Sequence, residues 1–158
     1  MAQNDLGACY LQSRMLEQAG AEFRCATEID SRAFNPQLNL GIVLVEQHNY
    51  SDAVTVLEGA LSLQSDLAAT LFYSGLACIG VRELDKAEKN LKAAYDLDRA
   101  HFSLALLHLG QIYMNQGDRA AARQASEQYL KSDQPLKNAV QAKKLIATLH
   151  CPVNSEHP

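Results

Sequence analysis

The sequence has no tryptophan, only four prolines and 6% aromatic residues, against a 47% share of apolar side chains. It is short both of the rings that favour strands and of helix breakers, while Ala, Leu, Gln, Glu and Lys are plentiful. That balance predicts an all-α chain without a sheet. No CxxC pair occurs among Cys9, Cys25, Cys78 and Cys151. The spacing thus lacks the common zinc and disulfide-exchange patterns. Cys9, Cys25 and Cys78 are expected on buried helix faces as reduced thiols, which favours a reducing compartment. No basic segment followed by an apolar run opens the chain, and the longest apolar stretch, Leu67 to Val81, is too short and interrupted to span a bilayer. These absences predict a soluble, cytoplasmic protein.

Signatures of catalysis are missing as well. There is no glycine-rich phosphate loop, no Gly-x-Ser-x-Gly elbow and no His-Glu-x-x-His pattern. His101 and His108 stand two helical turns apart, too far to share a metal without further ligands. His150, Cys151 and His157 lie near a C-terminal end that lacks periodicity, where nothing preorganises a zinc site. Neither an enzyme nor a cofactor or metal protein is expected. Charge excludes a further class. The net charge is −4, with nine acidic and three basic side chains over residues 1–67 and a mild positive excess over 68–158. Lys137, Lys143 and Lys144 are too few to replace phosphate counterions, so no nucleic-acid partner is expected.

What the sequence does contain is an internal repeat. Gly7, Gly41 and Gly75 recur at intervals of 34 residues, with Gly110 one residue late. Twelve residues after each glycine comes an alanine: Ala19, Ala53, Ala87 and Ala122. A large residue and then another alanine follow in three copies, as Phe23 and Ala26, Leu57 and Ala60, Leu91 and Ala94. The fourth copy has Ser126 and Tyr129 instead. A glycine in a helix interior costs up to about 1 kcal/mol, so its regular recurrence argues that each one lets a neighbouring helix approach closely.

Leu6-Gly7-Ala8-Cys9-Tyr10 and Leu109-Gly110-Gln111-Ile112-Tyr113, each followed by the spaced alanine, carry a resemblance to the tetratricopeptide repeat, whose period is about 34 residues. The second copy keeps Leu40-Gly41 but has Leu44 where Tyr is usual, and the third has Ser74-Gly75 and Cys78. The consensus Trp is replaced throughout, by Gln3, Gln37, Leu71 and Leu106, and a proline near the repeat end is clear only at Pro135. The resemblance implies an alpha-alpha superhelix of four antiparallel helix pairs plus a capping helix, right-handed by analogy with the family. The repeats are expected at about 1–33, 34–67, 68–102 and 103–136.

Hydrophobic periodicity and turn signals predict helix pairs at 2–14 and 17–30, 35–48 and 51–64, 68–81 and 85–98, and 102–116 and 119–132. Ser51 or Asp52, Asp85 and Gly117-Asp118 are the expected starts of the second helices. Asn35-Pro36 should open the second repeat, and the one-residue shift before Gly110 should lengthen the stretch around Asp98 to Ser103. Val140, Leu145, Ile146 and Leu149, interleaved with Lys and Gln, predict a capping helix at 135–149 that closes a repeat domain spanning 1–150. Residues 151–158 are expected to be a disordered tail. The first repeat begins almost at Met1 with no capping segment ahead of it, which reads as an end that a partner covers or, preferably, as a fragment of a larger protein.

By the resemblance, the first helix of each pair lines a concave surface. The positions so implied include Leu38, Asn39, Ile42 and Val45 in the second copy; Phe72, Tyr73 and Leu76 in the third; and Leu107, His108 and Gln111 in the fourth. These define an apolar groove for an amphipathic helix or extended apolar peptide, oriented by hydrogen bonds from Asn39, Tyr73, His108 and Gln111. A relative that clamps a C-terminal carboxylate needs Lys and Arg at positions occupied here by Leu38, Ala69, Leu104 and His108, so that specificity is not expected. The competing expectation is self-association, or intramolecular docking against another domain of a larger protein, through the same apolar surface or the uncapped first helix.

Overall fold

The computed structural model describes residues 2–132 and 139–150. All nine elements among these residues are α-helices: α1 (Ala2–Gln12), α2 (Leu16–Ile29), α3 (Phe34–Glu46), α4 (Tyr50–Leu63), α5 (Ala68–Gly80), α6 (Leu84–Leu97), α7 (Leu104–Gln116), α8 (Arg119–Leu130) and α9 (Ala139–His150). None of them is long and apolar enough to cross a membrane. The chain forms two compact units, residues 1–97 and 98–158.

In the first unit α1 packs on α2, α3 on α4 and α5 on α6; each pair then joins the next through α2 with α3 and α4 with α5. The first helices also meet one another, α1 with α3 and α3 with α5, so they form one continuous row. In the second unit α7 packs on α8, and α9 packs on α8 while also touching α7. It takes the place that the first helix of a further pair would hold. The expected capping helix is thus present from Ala139; its first residues, with Pro135, and the tail at 151–158 lie outside the described residues.

The periodic glycines mark helix contacts. A Cβ on Gly7 would stand 2.7 Å from the Phe23 ring, one on Gly75 would stand 2.7 Å from Leu91, and one on Gly41 would press still harder on Leu57. Those three large residues are fully buried, as are the alanines Ala19, Ala53 and Ala87. Glycine on one helix and a large side chain sixteen residues later on its partner therefore interlock like knob and hole. In the fourth copy the partner at Gly110 is the small Ser126, whose Oγ would lie 3.0 Å from an added Cβ, and Leu145 of α9 reaches to 3.1 Å of the same point. The departure of this copy from the repeat has a packing reason: the capping helix supplies the large side chain that α8 does not.

One bend connects the two helices of every pair. The N–H groups of Met15, Asn49, Glu83 and Asp118 each donate to the carbonyl five residues back, Tyr10, Leu44, Cys78 and Tyr113, at 2.9 Å. The residue before each donor takes a left-handed conformation: Arg14 at φ 60°, His48 at 61°, Arg82 at 64° and Gly117 at 81°. This is the six-to-one closure that ends many helices. Met15, Asn49, Glu83 and Asp118 then accept, through their own carbonyls, the N–H of Ala19, Ala53, Ala87 and Ala122. The residue that closes one helix therefore opens the next.

That economy corrects two expected helix starts. Ser51 and Asp52 lie inside the first turn of α4, whose cap is Asn49, and Asp85 lies inside the first turn of α6. Asp118 alone among the expected caps acts as one, its Oδ1 accepting from the Ala121 N–H at 2.9 Å. Pro36 sits in the first turn of α3, where its missing N–H costs nothing. The extra residue before Gly110 appears between α6 and α7, where six residues connect the helices instead of the four between α2 and α3 or α4 and α5.

The cysteines also depart from expectation. Cys78 is buried, but Cys9 and Cys25 are exposed. Cys9 is the counterpart of Val43 and Ala77, both fully buried. Val43 is covered by the helix pair before it, where it meets the Gly20 position. Cys25 matches Gly59 and Ala93, which are only half-buried. Periodicity alone placed these thiols on an apolar stripe that the fold leaves open.

Candidate partner-binding face

Along α3 the residues 39, 42 and 46 fall on one face, because steps of three and four nearly complete a helical turn. Further round the helix, Leu40, Val43 and Leu44 are buried among the neighbouring helices. Stepping by the 34-residue period onto α1 and α5 produces three rows across the first unit. Asp5, Asn39 and Tyr73 form one; Ala8, Ile42 and Leu76 the middle one; and Gln12, Glu46 and Gly80 the third. All three residues of the middle row are apolar and half-buried. Asp5, Gln12 and Glu46 at the flanks are exposed.

The ten residues expected to bind a partner divide accordingly. Leu38, Asn39, Ile42, Tyr73 and Leu76 are half-buried in the first unit, as are His108 and Gln111 in the second. Val45, Phe72 and Leu107 retain only 8%, 7% and 1% of their surface. These three are corrected from groove to core. They lie at the edge of the inward stripe, where the side chain turns between helices. Since Leu107, His108 and Gln111 belong to the second compact unit, the face described here is that of α1, α3 and α5.

Polar groups flank the apolar row in a fixed arrangement. The Asn39 amide donates to Asn4 Oδ1 at 3.1 Å, linking α3 to α1. Tyr73 stacks edge-on against Phe72, with centroids 5.5 Å apart. Burial pushes the Tyr73 phenol above its ordinary pKa, and the Glu46 carboxylate adds to the shift. Tyr73 is thus a neutral hydroxyl, suited to donating or accepting a hydrogen bond. Glu46 accepts from Arg14 at 3.0 Å across the surface. In the second unit, burial holds His108 below the usual imidazole range.

One residue of these rows, Asp5, was missed by sequence reasoning. The signal was present: subtracting 34 from Asn39 leads to Asp5. Asp5 also lines a cavity of about 520 Å³, together with Asn4, Ile29, Asp30, Phe34 and Pro36, between the start of α1, the end of α2 and the start of α3. His101 pairs with Asp98 three residues before it. Its backbone N–H and Nδ1 both engage the Asp98 carboxylate, the ring at 2.8 Å, which closes a local turn. The backbone bond is the main reason that the Asp98 carboxyl sits below its usual pKa.

Comparison with known proteins agrees with this architecture. Residues 104–135 match the tetratricopeptide repeat family model. No curated protein matches the chain at significance. Among solved structures the chain is similar to MamA, at 20% identity and a TM-score of 0.82 over 94% of this chain and 79% of that one. It is also similar to YrrB, a TPR protein with an unusual peptide-binding site, at 19% identity and a TM-score of 0.79 over 94% and 75%. A third, PilF of Pseudomonas aeruginosa, has 25% identity and a TM-score of 0.78 over 94% and 66%. The fold is that of the tetratricopeptide-repeat proteins.

Proposed function

We propose that this protein is a non-catalytic scaffold that docks a polypeptide segment on the face of α1, α3 and α5. The observation that carries the proposal is the apolar row of Ala8, Ile42 and Leu76, half-buried along three adjoining helices and bordered by hydrogen-bonding side chains. Held by the packing of each pair, such a face is preformed, which limits the ordering cost of binding to the partner. Ile42 and Leu76 would supply the buried apolar contact, while Asn39 and Tyr73 would orient the segment. Within its own unit α7 repeats two of these positions as His108 and Gln111. YrrB, a fold relative with a peptide-binding site, supports the same reading by analogy.

The test is a random-peptide display selection on the full chain, run beside an Ile42→Glu, Leu76→Glu variant whose helicity is checked by circular dichroism. Enrichment of apolar peptides by the wild type and not by the variant is the expected result. No enrichment, or equal enrichment by both, overturns the reading. Sedimentation gives the competing outcome: a concentration-dependent mass that vanishes in the same variant would assign the face to self-association.

A further inference from the structure

We infer that the segment docked on this face is cationic, an apolar stretch bearing Lys or Arg on both sides of its apolar contacts. The inference rests on the docking role proposed above and specifies the chemistry of its occupant. Helices α1, α3 and α5 contain Asp5 and Glu46 and not one Lys or Arg. The seven basic residues of this unit all lie on α2, on α6 or in the connecting turns. Taken together, the second helices α2, α4 and α6 carry both signs, whereas the layer that exposes the apolar row carries only acidic charge.

The positions of the two carboxylates fit the row. Asp5 stands three residues before Ala8 on α1, and Glu46 four residues after Ile42 on α3. At 1.5 Å of rise per residue, they lie about 4.5 Å and about 6 Å along their helices from the apolar row, on opposite sides of it. A segment laid across Ala8, Ile42 and Leu76 would therefore meet a carboxylate on either flank. The cavity between α1, α2 and α3 extends the same sign, since Asp5 and Asp30 line it and no Lys or Arg does.

Among the described residues Arg14 is the one cation in contact with these carboxylates, at 3.0 Å from Glu46, but its side chain is 81% exposed and that of Glu46 is 39% exposed. A pair this open to water is worth little and yields readily to a cation delivered by a partner. Complementary charge at a rim acts mainly on association rate and salt dependence, while the apolar row supplies the residence time.

Three synthetic peptides with one Leu and Ala framework, bearing Lys, Gln or Glu at the flanking positions, separate the components. Their binding to the full chain is followed by fluorescence anisotropy at about 50 mM and about 500 mM salt. The Lys peptide is expected to bind about tenfold more tightly than the Gln peptide at low salt, with the Glu peptide weakest and the differences collapsing at high salt. In an Asp5→Asn, Glu46→Gln variant the Lys peptide should fall to the affinity of the Gln peptide. Equal binding of the Lys and Gln peptides, or tighter binding of the Glu peptide, overturns the charge inference and leaves the docking role standing. Failure of all three to bind overturns both.

Discussion

The first three helix pairs and the fourth solve the same packing problem with different residues. In the first three, glycine faces Phe23, Leu57 or Leu91, each fully buried, and the bend between helices forces Arg14, His48 or Arg82 into a left-handed conformation. In the fourth, Gly110 faces Ser126 and Leu145, the bend has Gly117, and Asp118 caps the next helix. The fourth pair has better turn chemistry and a weaker knob. It also has α9 packed against it, which supplies the missing bulk. The difference teaches that a repeat position is defined by the space to be filled rather than by the residue that fills it.

The comparison breaks most sharply at the knobs. Leu57→Ala should cost about 2–5 kcal/mol by the loss of a buried side chain and the cavity left behind, read from urea unfolding monitored by circular dichroism. Gly41→Ala should cost about 1–3 kcal/mol by overpacking against Leu57. Combining the two should cost less than their sum, because the added methyl enters the vacated space. Gly110→Ala should stay below about 1 kcal/mol, since Ser126 and Leu145 need to move only slightly and alanine favours the helix. A Gly110→Ala penalty as large as that of Gly41→Ala would erase the distinction.

At the turns the effects are smaller. Asp118→Ala should lose about 1 kcal/mol with its cap bond, whereas Asn49→Ala, which removes no cap bond from α4, should lose much less. Gly117→Ala should likewise cost about 1 kcal/mol through its positive φ. Arg82→Gly should remain within about 0.5 kcal/mol, relief of the left-handed arginine offsetting the added freedom of the unfolded chain. Equal effects in the two copies would show that the bends are energetically alike despite their different residues.

The smallest expected effect is the pH dependence contributed by His108. Burial lowers its pKa in the folded chain, so the unfolded chain binds the proton more readily. Its contribution to stability is therefore present above the unfolded value of about 6.5 and is lost as pH falls through that value toward the folded one. A His108→Gln variant should show a flatter fall in urea midpoint between neutral and mildly acidic pH than the wild type. An identical fall in both would remove His108 from the account.

Much of this architecture was legible in the sequence because packing imposes a period. Gly7, Gly41 and Gly75, with their alanines and large residues, located the helix pairs to within two residues at nearly every boundary. The helix starts at Ser51 or Asp52 and at Asp85 were misread because Asn49 and Glu83 serve as both bend and start, a dual use of backbone groups that side-chain signals do not reveal. Of the positions that spacing implied for a binding face, Ile42, Leu76, Asn39 and Tyr73 stay half-buried in the structure, whereas Val45, Phe72 and Leu107 belong to the core. Residues one step around the helix share an apolar character but differ in whether a neighbouring helix covers them.

The sequence by itself determined the helical class, the repeat and its register, since these follow from local propensity and from contacts that recur every 34 residues. Only the tertiary structure decided which apolar residues are core and which remain open, because coverage depends on the helices arriving from either side. It also decided that the layer exposing the apolar row carries carboxylates without a base. That property belongs to three helices separated in the chain, and no single stretch of sequence displays it.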